Sequence, residues 1–376
     1  MTTTNAPFRY DVVGSFLRPQ ALKDARQQFA DGQISAEELR AIEDKEIIDL
    51  IKKQEAAGLK SVTDGEFRRR YWHTDFFWGL NGVERKSDVA GYEFEGITTP
   101  GDTARIVAKI SGENHPFVED FKFVRDNASD GIVVRQTIPA PAQFFNEIFV
   151  FHTDKNLPAA KEVYPEREEL LDDLVKAYKT VIQDLYDAGL RNLQLDDCSW
   201  DVVFTHDESQ FSDEERAERD QLKDDLVTIN NRVIDGLPED LVVTTHVCRG
   251  NFASYHFATG GYASVSDHLF ARENADAFYL EYDTDRSGGF EPLADLPKGS
   301  KVVLGLITSK TGELEDKDAV KARIQEASQY IPLEDLYLSP QCGFSSTEEG
   351  NALTEDAQWA KVALVKEIAE EVWEDA

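Results

Sequence analysis

Short runs of β-branched and aromatic residues recur along this chain, and most are followed by a longer stretch in which apolar residues return every three or four positions. The short runs place candidate strands at Tyr10–Phe16, Lys60–Glu66, Ile132–Pro139, Asn192–Asp197, Leu241–Cys248, Ala277–Asp283, Lys301–Thr308 and Leu336–Cys342. The helical spacing is clearest over Ala36–Ala57, Glu166–Ala188, Glu214–Ile234, Asp316–Tyr330 and Glu355–Trp373. Ser35 with Glu38 three residues on forms a capping-box signal, and Gly58 and Gly189 stand where helices should stop. Strand and helix alternating eight times predict parallel strands closed into a TIM (β/α)8 barrel. One interval is too long for a single helix. Residues 71–131, between the second and third strands, include GVERKSDVAGYEFEGITTPGD, which reads as an irregular or hairpin insertion over one barrel end. No linker or repeat divides the chain, so residues 1–376 are expected to form one barrel domain.

Composition fits that picture, with 41% apolar and 10% aromatic residues available for a core. The 72 acidic against 40 basic side chains leave a net charge of -32, which repels nucleic acid and anionic lipid. Much of that charge sits in runs such as 213–225 and 367–375, the solvated faces of helices. No run of 18 apolar residues predicts a membrane span, and the N-terminal stretch lacks the basic and apolar regions of a leader. The three cysteines, Cys198, Cys248 and Cys342, are an odd number, which argues for reduced thiols and a cytoplasmic location.

In such barrels the C-terminal strand ends build the active site. Here those ends carry Gly14–Ser15, Asp64–Glu66, Pro139, Asp196–Asp197, His246 and Cys248, Glu281, Thr308 and Cys342. Residues two apart on a strand point to the same side, so His246 and Cys248 can grip one ion. Cys342 and Glu281 end two further strands, and a set of N, S, S and O donors suits tetrahedral Zn2+. Glu281 is the weakest of the four on chemistry alone, because Asp283 and Asp285 lie close by. A lone strand histidine or buried cysteine is more often simply core.

The motifs VVGSF, TDGEFRR, LQLDD, THVCRGN, YLEYDTDRSGG and SPQCGF, in this order from Val12 to Phe344, resemble those of the cobalamin-independent methionine synthase family, specifically its catalytic barrel. The resemblance implies a zinc-dependent methyltransferase that converts homocysteine to methionine, with His246, Cys248, Glu281 and Cys342 as metal ligands. It further implies that Gly14 and Ser15 receive the amino-acid carboxylate through backbone amides, and that Glu66 and Asp196 pair with its ammonium group. The plain alternatives are a turn at Gly14–Ser15, a helix cap at Asp196, and an ion pair from Glu66 to one of Arg68, Arg69 or Arg70.

The chain also departs from the long members of that family. The segment VVLGLITSKTGELED has no histidine near Ile307, where they place a proton donor, and Phe144 or Phe145 stands where a tryptophan is expected. The methyl donor is therefore open between 5-methyltetrahydrofolate and another carrier, such as a methylcorrinoid protein or a sulfonium compound. His73 is a candidate replacement acid, although a histidine packed beside Tyr71, Trp72, Phe76, Phe77 and Trp78 is the simpler reading. Cys198 falls just past a strand end, and Arg249 and Arg286 are candidate orienting charges. Alkyl transfer to a different small thiol, or a non-catalytic thiol-binding zinc protein, are the competing readings.

Overall fold

The computed structural model describes residues 6–376 apart from Glu95 and His206. Residues 1–5, part of the stretch read for a leader, lie outside the described residues, as does Glu95 within the insertion. The barrel sheet comprises β1 (Ser61–Val62), which the chain leaves for an insertion before returning. The insertion holds β2 (Asn81–Lys86), β3 (Glu93–Phe94), β4 (Ile97–Thr98) and β5 (Thr103–Ser111). The barrel resumes with β6 (Val133–Pro139), β7 (Asn192–Asp197), β8 (Val242–Val247), β9 (Ala277–Glu281), β10 (Lys301–Ile307) and β11 (Leu336–Pro340). β1 and β6–β11 form one curled seven-stranded sheet in chain order, every pairing parallel. This is the TIM-like α/β architecture that the alternating pattern predicts.

Helices cover the outside because their apolar residues repeat at helical spacing. In the helix Arg167–Asp187, Leu170, Leu174, Ala177, Val181 and Leu185 are buried in one stripe. Capping boxes start the helices Ala36–Ala56 (Ser35 with Glu38) and Asp213–Ile234 (Ser212 with Glu215).

Two expected strands are shorter than the pattern implied. Tyr10–Phe16 pairs with β11 only by a bridge from Tyr10 to Leu338, reinforced by the Asp11 amide donating to the Leu338 carbonyl at 3.0 Å. The Asp11 carboxylate takes the amide of Val12 at 2.8 Å, and Gly14 adopts φ 145, so the extended run breaks. Lys60–Glu66 contracts to β1 because the side-chain amide of Gln54 occupies both the N–H and the C=O of Thr63. Beyond it Gly65 and Glu66 turn at φ 66 and 62.

Residues 9–16 nevertheless close the barrel across the seam between β11 and β1. The Phe16 amide donates to the Gly65 carbonyl on the β1 side at 3.2 Å. Beneath the seam Arg135, fully buried on β6, donates to Asp11 Oδ2 at 2.6 Å and to the Val12 carbonyl at 2.6 Å. Tyr279 on β9 adds its hydroxyl to Asp11 Oδ2 at 2.7 Å.

In the insertion, β2 and β5 pair antiparallel, and the short β3–β4 hairpin follows the same sense. Val83, Ala104, Ile106 and Ile110 turn into the core, and β5 packs on the helices Asn156–Val163 and Arg167–Asp187. Glu147 ties the insertion to the barrel by accepting hydrogen bonds from Tyr92 and Thr103. Arg135→Leu strands Asp11 without its counter-charge in the core. It is expected to cost about 3–5 kcal/mol in urea unfolding, and a loss under about 1 kcal/mol would contradict the seam's role.

Candidate metal centre and active site

The register of the parallel strands assembles the site. Asp196 on β7 pairs with His246 on β8, which pairs with Tyr279 on β9, so the polar residues at these ends face one mouth. His246 and Cys248 are two apart on the same run, and Glu281 closes β9. Cys342 follows β11 by two residues. One ligand atom from each of His246, Cys248, Glu281 and Cys342 lies within 4.8 Å of all the others, and all four residues are buried.

Two of their spacings match those of ligands on a tetrahedral ion. Bonds of about 2.3 Å to sulfur and about 2.0 Å to nitrogen set tetrahedral ligand atoms roughly 3.5–3.8 Å apart. His246 Nε2 lies 3.4 Å from Cys342 Sγ, and the Cys248 and Cys342 sulfurs are 3.6 Å apart, with both thiols free. His246 Nδ1 lies 3.3 Å from the Tyr279 carbonyl, which assigns the proton to Nδ1 and leaves Nε2 for a ligand. The hydrogen bond with Cys198, together with burial, pushes the Cys248 thiol up, and the bond with Cys248 and burial do the same for Cys342. A dication reverses this, because coordination deprotonates a thiol outright.

Glu281 is fully buried, and desolvation alone would raise it. The charges of Arg286, Lys310 and Arg249 nevertheless hold its carboxyl below the ordinary value. Arg286 grips Oε2 at 2.6 Å, and the Arg249 amide donates to Oε1 at 3.1 Å. Arg249 is no surface residue. Its guanidinium is buried against the Gly260 carbonyl and the Tyr262 hydroxyl, and braces the end of β9.

Ser15, Glu66, Asp196, His246, Cys248 and Cys342 line one cavity of ≈ 330 Å³, whose remaining walls include Trp72, Asn251 and Ser346. Glu66 Oε1 accepts from Thr137 at 3.1 Å and lies 3.4 Å from Arg69, so the ion pair foreseen with the arginine run exists. Glu66 Oε2 has no partner among the described residues. Asp196 Oδ1 accepts the Gln194 side-chain amide at 2.8 Å, its one partner among the described residues. Burial first, and then the neighbouring Glu66, push the Asp196 carboxyl well up; burial raises Glu66 as well, against Arg69 and Arg18. Two buried acids short of positive charge make this end of the cavity complementary to a cation. Gly14 is placed differently from the rest. It does not line the cavity, its carbonyl accepts from Thr63 at 2.5 Å, and a Cβ there would come within 2.8 Å of Thr137 Cγ2. Close approach of Ser15 to Gly343 is what the neighbouring glycine serves, since a Cβ on Gly343 would meet Ser15 Oγ at 1.9 Å.

A second cleft, of ≈ 700 Å³, shares Trp72, Cys198 and Asn251 with the first. Of the aromatic run, Tyr71 and Trp72 line it while Phe76 and Phe77 are core and Trp78 donates to the Thr103 carbonyl. Phe144 and Phe145 are also core, and it is Gln143 that faces the cleft. His73 reaches the cleft too, but desolvation and then His152 lower its pKa to about 3, so it is neutral and unsuited to be the acid. Burial pushes the Cys198 thiol up to about 12. Ile307 closes β10 inside the core. Tyr92, Phe94, Phe151, Asp201, Phe252 and Phe257, none singled out in the sequence, complete the cleft. The aromatic types of five of them were visible, but those five come from three separate segments with no common spacing.

Residues 8–113 and 159–367 match the family model described as cobalamin-independent synthase, catalytic domain. The chain is 44% identical over 371 residues to the uncharacterized protein YxjH of Bacillus subtilis (strain 168), covering 98% of this chain and 95% of that one. A Listeria monocytogenes protein, described provisionally as a vitamin-B12 independent methionine synthase, has a crystal structure that superimposes with a TM-score of 0.74 at 39% identity over 98% of each chain. A B12-independent methionine synthase from Shewanella sp. W3-18-1, in complex with selenomethionine, superimposes with a TM-score of 0.71 at 21% identity over 97% of each chain, a likeness of fold.

The raised carboxyl of Asp196 carries a signed prediction. A buried acid whose folded pKa lies above its unfolded value withdraws stability as pH rises through that range. Asp196→Asn is therefore expected to stabilise the substrate-free protein on the order of 1–3 kcal/mol at pH 8 and much less at pH 5. Thermal unfolding at the two pH values checks this; an equal shift at both contradicts it.

Proposed function

This chain belongs to the family of cobalamin-independent methionine synthase catalytic domains, and from that premise we propose that it is a zinc-dependent enzyme that methylates the thiol of homocysteine to give methionine. The observation that carries the reading is that one cavity is lined by two chemically distinct sets of side chains. His246, Cys248 and Cys342 form one set, and the buried acids Glu66 and Asp196 the other. A substrate bearing both a thiol and an ammonium group satisfies both sets at once.

His246, Cys248, Glu281 and Cys342 would hold the ion. When bound, zinc supplies a Lewis acid that favours the thiolate of a substrate thiol, the form that is nucleophilic. Glu281 is the ligand suited to yield its place to substrate sulfur. Arg286 and the Arg249 amide already hold both its oxygens, so release leaves no buried charge unpaired. Glu66 and Asp196 ionise together around an ammonium group and orient the amino-acid end, while Ser15 and Gly343 border the same space. Trp72 and Asn251, shared with the adjoining cleft, separate the thiol from the space through which the methyl group arrives. The whole chain acts as one catalytic barrel in this reading. No described helix is long and apolar enough to cross a membrane, and the free thiols suit a reducing compartment, so the reading assigns the enzyme to the cytoplasm.

The rival acceptor, a thiol without an amino group, has no use for Glu66 and Asp196. Isothermal titration of the zinc-loaded protein is expected to show homocysteine binding at least about 100-fold more tightly than 4-mercaptobutyrate, its des-amino analogue, because loss of the ammonium leaves the buried Asp196 carboxyl without an ion pair among the described residues, while Glu66 keeps Arg69. The preference is expected to shrink to less than about tenfold in the double variant Glu66→Gln, Asp196→Asn. Equal binding of the two thiols to the unaltered protein would overturn the acceptor assignment. Cys342→Ala is expected to reduce bound zinc from one per chain to well under a half by elemental analysis, and full retention would remove Cys342 from the ligand set.

A further inference from the structure

The cleft beside the thiol site has a chemical character of its own. Trp72, Tyr92, Phe94, Phe151, Phe252 and Phe257 present aromatic surface to it, and no lysine or arginine lines it. Its two carboxylates are Asp102 and Asp201. Asp102 is already matched by Arg85 at 2.8 Å. Asp201 is not. The residue lines the cleft with 9% of its surface exposed, and its Oδ1 is buried with no hydrogen-bond partner among the described residues. The side-chain oxygen of Gln143, buried on the same wall, is equally without a partner. Burial, and then the charge of Glu281, push the Asp201 carboxyl well up against the opposing charges of Arg249 and Lys310.

Aromatic faces with an unmatched carboxylate recognise a soft cation, as the cages that bind quaternary ammonium ligands do. They are a poor host for an anionic donor. A donor with a polycarboxylate tail would find no basic side chain here, and the net charge of -32 adds long-range repulsion. We infer that this cleft binds the methyl donor and that the donor is a methylsulfonium compound. The inference rests on the thiol-methylation reading above and names the second substrate of that site.

The step balances without an acid. The donor's S–CH3 bond breaks with its electron pair returning to the donor sulfur, so the positively charged sulfonium leaves as a neutral thioether. The thiolate sulfur of homocysteine supplies the pair for the new S–CH3 bond, its proton having gone to solvent. No group needs to protonate the leaving atom, whereas an amine leaving group requires that proton. His73, neutral and low in pKa, lines the cleft without being asked to provide one. A quaternary ammonium compound fits the same cage, but its amine is a far poorer leaving group than a thioether.

The test incubates zinc-loaded protein and homocysteine with deuteromethyl-labelled trimethylsulfonium, S-methylmethionine or 5-methyltetrahydrofolate, and reads labelled methionine by mass spectrometry. At least one sulfonium is expected to give kcat/KM tenfold or more above 5-methyltetrahydrofolate. Asp201→Asn is expected to lower the sulfonium kcat/KM at least tenfold while homocysteine binding, titrated separately, changes less than twofold. Phe257→Leu is expected to raise KM for the sulfonium with less effect on kcat. Transfer from 5-methyltetrahydrofolate alone, or no transfer from either sulfonium to a protein that binds homocysteine, overturns the donor assignment. Failure to bind homocysteine overturns the acceptor reading and the inference with it.

Discussion

The seam between β11 and β1 is where this barrel has to be held shut, and a buried ion pair does it. The Arg135 side chain has no exposed surface and clamps Asp11 at 2.6 Å, with Tyr279 sharing the same carboxylate oxygen. Residues 9–16 make little regular sheet, so the position of Ser15 depends on that clamp and on contacts with Gly65 and Phe344 at its two flanks. The same segment brings Ser15 against Gly343, next to Cys342. The ion pair thus sets the distance between the β11 ligand and the carboxylates that follow β1. A charged pair gives a defined geometry here that an apolar seam could supply only through close packing.

Above the seam, the site is organised by unbalanced charge. Glu281 has more cation than it needs, from Arg286 and Arg249, and is held ionised in spite of complete burial. Burial outweighs Arg69 and Arg18 at Glu66 and raises Asp196 as well, and Asp201 has an oxygen with no hydrogen-bond partner among the described residues. Such imbalances are costly in a substrate-free protein and are relieved by ligands, so they indicate where charge is to be accepted and of which sign. Both cavities hold buried acids whose cost a positively charged ligand would relieve, Glu66 and Asp196 in one and Asp201 in the other.

Much of this was legible in the sequence, and what was not has identifiable causes. His246 and Cys248 were readable because strand periodicity puts alternate residues on one side, and Glu281 and Cys342 because they end short apolar runs. The strand at Tyr10–Phe16 was overcounted because its composition is extended in character, while the break comes from Asp11 bonding Val12 and from Gly14. Lys60–Glu66 was overcounted because a side chain elsewhere, Gln54, displaces the ladder. The aromatic cleft was not foreseen as a whole. Its walls converge only after the insertion folds back, fastened through Tyr92 and Thr103 to Glu147. The helix phase that buries Phe144 and turns Gln143 outward is likewise fixed by tertiary packing, not by local pattern.

The central proposal is that His246, Cys248, Glu281 and Cys342 would hold one zinc ion and that Glu281 is the ligand that would give way to a substrate sulfur. Zinc K-edge X-ray absorption of the loaded protein, with and without homocysteine, addresses it directly. The account predicts a shell of one nitrogen, one oxygen and two sulfur atoms that becomes one nitrogen and three sulfurs when homocysteine binds. A shell that stays unchanged at saturating homocysteine would contradict it.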